Sequence, residues 1–208
     1  MPRIRQLAAL TGAAALALTA MGTPAHAATQ IVGVDGTYGG DVRATLTSNL
    51  VISTTLLGTT TCTSSSITGT APAGGSPLGV SGATFGGCSG TGNPTLTAVN
   101  TGTWGGGVTA TAAGVGTLTI SGFTVKANVT ILGIPVTCTY SGTVTAAVSG
   151  SSVTGGEARA VLNASTINKS AGSFTCPGSA NLVSGTYQLM GDKTTSDKVY
   201  DNTLNLLP

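Results

Sequence analysis

Along most of this chain a hydroxylated or small residue alternates with an aliphatic one, and glycine clusters interrupt the alternation at short intervals. Val42-Arg43-Ala44-Thr45-Leu46-Thr47 follows this pattern, as do Thr95-Leu96-Thr97-Ala98-Val99 and Thr117-Leu118-Thr119-Ile120. So do Phe123 to Val129, Val136 to Tyr140, Thr143 to Ala146, Arg159 to Leu162 and Thr186 to Leu189. A period of two is the strand period, because successive side chains leave opposite faces of a pleated backbone. Breaks fall at Gly39-Gly40, Pro72 to Pro77, Gly86-Gly87, Gly105 to Gly107, Gly150 and Gly155-Gly156. Short alternating strands punctuated by turn residues predict an all-β fold. An antiparallel β-sandwich is expected, with a closed β-barrel as the alternative. No stretch after the first 27 residues pairs a helical period with caps.

Those first residues read as a secretory leader. Arg3 and Arg5 begin it, Leu7 to Met21 form an apolar run, and Ala25-His26-Ala27 is a small-x-small cleavage site. Arg3-Ile4-Arg5 is not a twin-arginine pair, which favours the general secretory route. The expected organisation is a signal peptide over 1–27, helical if retained, and a single secreted β domain over 28–208. The expected location is extracellular, free in the medium or loosely associated with a cell wall.

Cleavage would remove His26, the only histidine, and leave Glu157 as the only glutamate. Most acid-base chemistry, most zinc sites and every histidine-dependent triad are then out of reach. No catalytic residue, metal ligand or cofactor site is assigned. A carboxylate-dependent hydrolase is the most distant alternative, since Asp35 and Asp41 flank a glycine-rich turn and a glycosidase needs two carboxyls. Turn aspartates more commonly bond their own backbone. Asp192, Asp197 and Asp201, with Ser196 and Asn202, offer oxygen ligands of the kind calcium takes. They lack the EF-hand spacing, and a solvated tail is the plainer expectation.

Charged residues make up only 7% of the chain, so threonine, serine, asparagine and glycine must face the solvent. Of eight basic residues two lie in the leader, which leaves six against six acidic ones. No basic patch exists to hold a phosphate backbone, which excludes nucleic acid as a partner. No polybasic stretch or amphipathic helix directs the chain to an anionic membrane, and no membrane span is expected.

Four cysteines in an exported chain predict disulfides at Cys62, Cys88, Cys138 and Cys176. Three pairings are open. Thr61-Cys62-Thr63 resembles Thr137-Cys138-Thr139, and Phe85-Gly86-Gly87-Cys88 resembles Phe174-Thr175-Cys176. If these contexts mark a weak duplication, about 41–120 and 121–200, the pairs are Cys62–Cys88 and Cys138–Cys176. Among the aromatic residues Trp104, Tyr38 and Tyr140 are the candidate ligand-binding positions, Trp104 foremost because three glycines follow it. Tyr187 and Tyr200 complete the aromatic set that such a platform would draw on.

Ser81 to Gly90, Val136 to Gly142 and Ser184 to Tyr187 resemble a group of secreted, Gly/Thr-rich all-β proteins of actinobacteria. The resemblance covers roughly residues 55–190. It implies a disulfide-stapled secreted β domain and carries over no activity, ligand or catalytic residue. A looser similarity is to the β-sandwich apoproteins that carry enediyne antibiotics, though no motif here fixes such a ligand site. The expectation is therefore a secreted, non-enzymatic structural or binding protein. Its partner would be a surface polymer or a small hydrophobic ligand. A small-molecule or carbohydrate binding module is the first alternative.

Overall fold

The computed structural model describes residues 28–99, 104–150, 157–192 and 199–208. The expected leader lies outside them. Sixteen strands and no helix occur among the described residues. The first group is β1 (Gln30–Gly33), β2 (Gly36–Thr37), β3 (Gly40–Leu46), β4 (Leu50–Thr54), β5 (Gly58–Ala71) and β6 (Leu78–Gly90). Next come β7 (Thr95–Ala98), β8 (Trp104–Ala112), β9 (Val115–Ile131), β10 (Ile134–Ser149) and β11 (Arg159–Leu162). The chain finishes with β12 (Ser165–Gly172), β13 (Ser179–Ser184), β14 (Thr186–Gly191), β15 (Asn202–Thr203) and β16 (Asn205–Leu207).

Every ladder is antiparallel, so the fold is all-β and disulfide-stapled as expected. The ladder also closes on itself. β14 pairs β3, β3 pairs β5, and the path runs on through β6, β8, β9, β10 and β11 back to β14. The layers expected as a sandwich are thus joined at both edges, in the manner of the barrel alternative. Closure leaves these strands no unpaired edge.

Four long strands, β5, β6, β9 and β10, run past this ring into a second group. There they meet β4, β7, β12 and β13. The hairpin β9–β10 keeps one register from Ile131↔Ile134 to Phe123↔Gly142, and a shifted one from Ile120↔Val144 to Val115↔Ser149. The hairpin β5–β6 shifts likewise between Thr68 and Gly69. Both shifts fall near the waist, where the long strands change neighbours. Each adds one residue to one strand: Ser121 and Gly122 of β9 stand against Thr143 alone, and Ser81 of β6 is left over between Val80↔Gly69 and Gly82↔Thr68. An extra residue reverses which parity faces inward. Ile120 and Phe123 are consequently both buried, as are Val125 and Val129 beyond them. Gly122 supplies the positive φ of 71° that the insertion in β9 requires.

One core cluster fills the second group around Cys138, Tyr140, Val129 and Ile167. Another fills the first ring around Ala146, Val148, Ala160 and Tyr187. A three-stranded sheet, β16-β1-β2, carries Ile31 and Leu206 into that second cluster, joined by Leu204 just before β16, and covers the outer end of the ring. The C-terminal segment was expected to be a solvated tail. Instead Asn202, Leu204, Asn205 and Leu206 are buried, because this last stretch pairs with β1. No helix among the described residues is long and apolar enough to cross a membrane.

Candidate functional site

The disulfides are Cys62–Cys88 and Cys138–Cys176, the pairing that the repeated contexts predict. Their settings differ. Cys62 and Cys88 are register partners on adjacent strands, whereas Cys138 in β10 holds Cys176 in the loop between β12 and β13. Similar local sequence therefore sits in two different structural positions.

Trp104 does not offer its ring to a surface ligand. It is 4% exposed and lies against Phe123, with ring centroids 4.9 Å apart. The glycines after it serve close strand packing. A Cβ at Gly106 would stand 2.5 Å from the Thr119 carbonyl oxygen on β9. The indole Nε1 is buried and finds no hydrogen-bond partner among the described residues.

Tyr38 is a structural clasp. Its hydroxyl donates to the Asp41 carbonyl and accepts from the Asp192 backbone N–H at 2.9 Å. The turn before β3 is thereby pinned to the end of β14. Burial raises the phenol above its ordinary value, the Asp192 hydrogen bond opposes this, and the nearby Asp192 and Asp41 carboxylates add to the rise. Next to it the Arg43 guanidinium lies 4.3 Å over the Tyr200 ring.

Tyr140 is buried in the second group, where burial alone raises its phenol. It borders a small cavity of about 40 Å³ shared with Leu57, Leu96, Val125 and Ile167. Tyr38, Tyr140 and Trp104 thus stand in three separate environments, and no common platform unites them.

The larger feature lies within the first ring. A cavity of about 110 Å³ is bounded by Ile31, Leu204 and Leu206 of the cap, by Ala146, Ala160 and Leu118 of the wall, and by Phe85 and Phe123 toward the waist. Tyr187 is the tyrosine that borders it, and its hydroxyl donates to Ser65 Oγ at 3.2 Å. Burial raises this phenol, with the Ser65 hydrogen bond acting against the rise. The space arises because alanines occupy inward positions facing larger residues across the ladder. Ala146 lies opposite Leu162, Ala160 opposite Tyr187, and Ala44 opposite Leu189.

Several polar groups elsewhere are engaged in the scaffold. Glu157 and Arg159 form an exposed ion pair at 3.4 Å. Asn202 Oδ1 accepts from the Val34 N–H at 3.0 Å, and Asp192 is almost fully buried. Asp197 and Ser196 of the calcium reading lie outside the described residues. No group of three or more His, Cys, Asp or Glu able to hold a metal occurs among those that are described.

Compared with known proteins, the chain matches no family model, no curated protein and no solved structure. The ring and its cavity are therefore the features from which a function is to be argued.

Proposed function

We propose that this is a secreted, non-enzymatic binding protein whose β-ring holds a small apolar guest. The observation that carries the reading is the 110 Å³ cavity, bounded mainly by aliphatic and aromatic side chains and covered by β16-β1-β2. Apolar cavities of roughly 150 Å³ stay dry and take up benzene or xenon, so this one is of the same order. A guest would gain dispersion contacts that the lining now lacks on its inner side. Extracellular location is part of the proposal. It rests on the leader-like N-terminus, on two formed disulfides and on the resemblance to secreted actinobacterial proteins.

The test is thermal unfolding of the oxidised protein with benzene, toluene or cyclohexane, alone and with Ala146→Leu. The midpoint should rise with guest concentration, as it must when a ligand binds only the folded state. Ala146→Leu should fold and lose the response. The reading fails if none of the guests shifts the midpoint, or if the filled variant responds as strongly as the parent. Sequencing the N-terminus of protein recovered from the medium tests the location, with Ala28 expected first.

A further inference from the structure

The large exposed apolar residues differ in kind along the molecule: the valines Val34, Val115, Val161 and Val199 lie on the cap and ring, and Val183 on β13. Of those described, every one that is not a valine lies at the end of the molecule away from the cap. They are Leu56 at 59%, Leu132 at 95%, Ile134 at 64% and Phe174 at 93% exposed. Leu56 tips the turn closed by Thr54↔Gly58, and Leu132 tips the turn closed by Ile131↔Ile134. Phe174 projects from the loop that Cys138–Cys176 ties to β10. The register Asn181↔Ser53 sets that loop beside the Leu56 turn.

The carboxylates are confined to the other end, whereas cations occur at both, Arg43 and Arg159 on the ring among them. The described carboxylates, Asp35, Asp41, Glu157, Asp192 and Asp201, all sit on elements of the cap and first ring. The second group carries Lys126, in register with Thr139, and Lys169, whose Nζ reaches the Ser173 carbonyl beside Phe174 at 3.4 Å. This end is therefore apolar at its tips, cationic behind them and free of carboxylates among the described residues.

We infer that this end docks on a phospholipid bilayer bearing anionic headgroups, a partner that the sequence, with no polybasic stretch, does not announce and that only the folded placement of the tips and lysines suggests. Apolar side chains on separate turns suit a fluid surface that accepts each of them independently, and lysines behind them complement the headgroup charge. A fitted protein partner would call for a continuous patch instead. The inference is independent of the cavity, since it draws on the opposite end of the molecule.

The experiment is cosedimentation of the purified, oxidised protein with vesicles of phosphatidylcholine, with and without phosphatidylglycerol. Binding should require the anionic lipid and weaken with salt. Phe174→Ser with Leu132→Ser should lower it by at least about tenfold, because both side chains are lost from the contact. Val34→Ser with Val199→Ser, exposed positions outside the docking end, should leave it unchanged. Unaltered melting curves would show that both pairs fold. The inference is overturned if the parent stays in solution with both vesicles, or if the Phe174/Leu132 variant binds as well as the parent. It is also overturned if sedimentation velocity shows a dimer that this variant abolishes without any vesicle binding, since the end would then serve a second copy.

Discussion

Gly69 has no room for a methyl group. A Cβ there would run into the Gly79 carbonyl oxygen and stand 3.1 Å from the Val80 Cα, both on the partner strand. Backbone atoms held in a ladder cannot rotate aside, so Gly69→Ala should destabilise the fold by about 1–3 kcal/mol. Gly178→Ala, with nothing near its added carbon, should stay within about 0.5 kcal/mol of the parent. Urea melts of the oxidised proteins measure the difference. The tyrosines set a second expectation. Tyr38, Tyr140 and Tyr187 each have a phenol raised above the ordinary value of 10.0, foremost by burial. A folded value raised above the unfolded one contributes stability that is complete below the unfolded value. That stability is lost as pH rises through the folded one. Unfolding free energy should therefore hold level through neutrality, where no described histidine titrates, and fall above about pH 10. Tyr187→Phe should make the alkaline fall shallower. At neutral pH it should cost about 1 kcal/mol, because the buried Ser65 hydroxyl loses its partner. Denaturant melts across pH 6 to 11 would contradict this if the alkaline limb were flat.

Among the elements, strands with regular aliphatic alternation were legible, and strands built from hydroxyls were not. β10 shows the first case, with Cys138, Tyr140, Val144, Ala146 and Val148 buried at every second position apart from Gly142. β5 shows the second. Gly58 to Ala71 is nearly all threonine, serine and glycine, and only pairing with β3 or β4 on one side and β6 on the other makes it a strand. Glycines misled in another way. Gly86-Gly87 and Gly105 to Gly107 read as breaks, yet they lie inside β6 and β8, and the runs Thr117 to Ile120 and Phe123 to Val129 are one strand, β9, with Ser121-Gly122 absorbed as a bulge. The disulfides act on this framework differently. In the chain-entropy account, with separations of 26 and 38 residues, each stabilises by roughly 3.5–4 kcal/mol at most. Double Cys→Ser variants should thus lose similar amounts of stability. Limited proteolysis should tell them apart. Without Cys138–Cys176 the loop carrying Phe174 loses its tether and should be cut first, whereas β5 and β6 stay paired without Cys62–Cys88. Equal cleavage of the Phe174 loop in both variants would contradict this account.

At the scale of the whole molecule, the cavity had no local signature. Its boundary gathers side chains from β1, β6, β9, β10, β11, β14 and β16 among others, and what makes it hollow is alanine at inward positions far apart in sequence. The aromatic residues that stand out in the sequence, Tyr38, Tyr140 and Trp104, are all buried by packing, whereas the aliphatic wall carries no local mark. The cap is equally non-local, since it joins the first described strand to the last. Leu206 is buried against the ring and borders the cavity, so Leu206→Ala should cost about 2–5 kcal/mol. It should also blunt the response to apolar guests, which calorimetry would register. The same pairing has a mechanical consequence. Gln30 faces Leu207 and Val32 faces Asn205, so the two ends of the described chain leave the molecule side by side. Tension applied between them pulls across β1 and β16, and opens their hydrogen bonds one after another as a zipper does. The ring lies outside that line of force. A protein held at one end and tugged at the other would shed its lid long before its barrel felt the load.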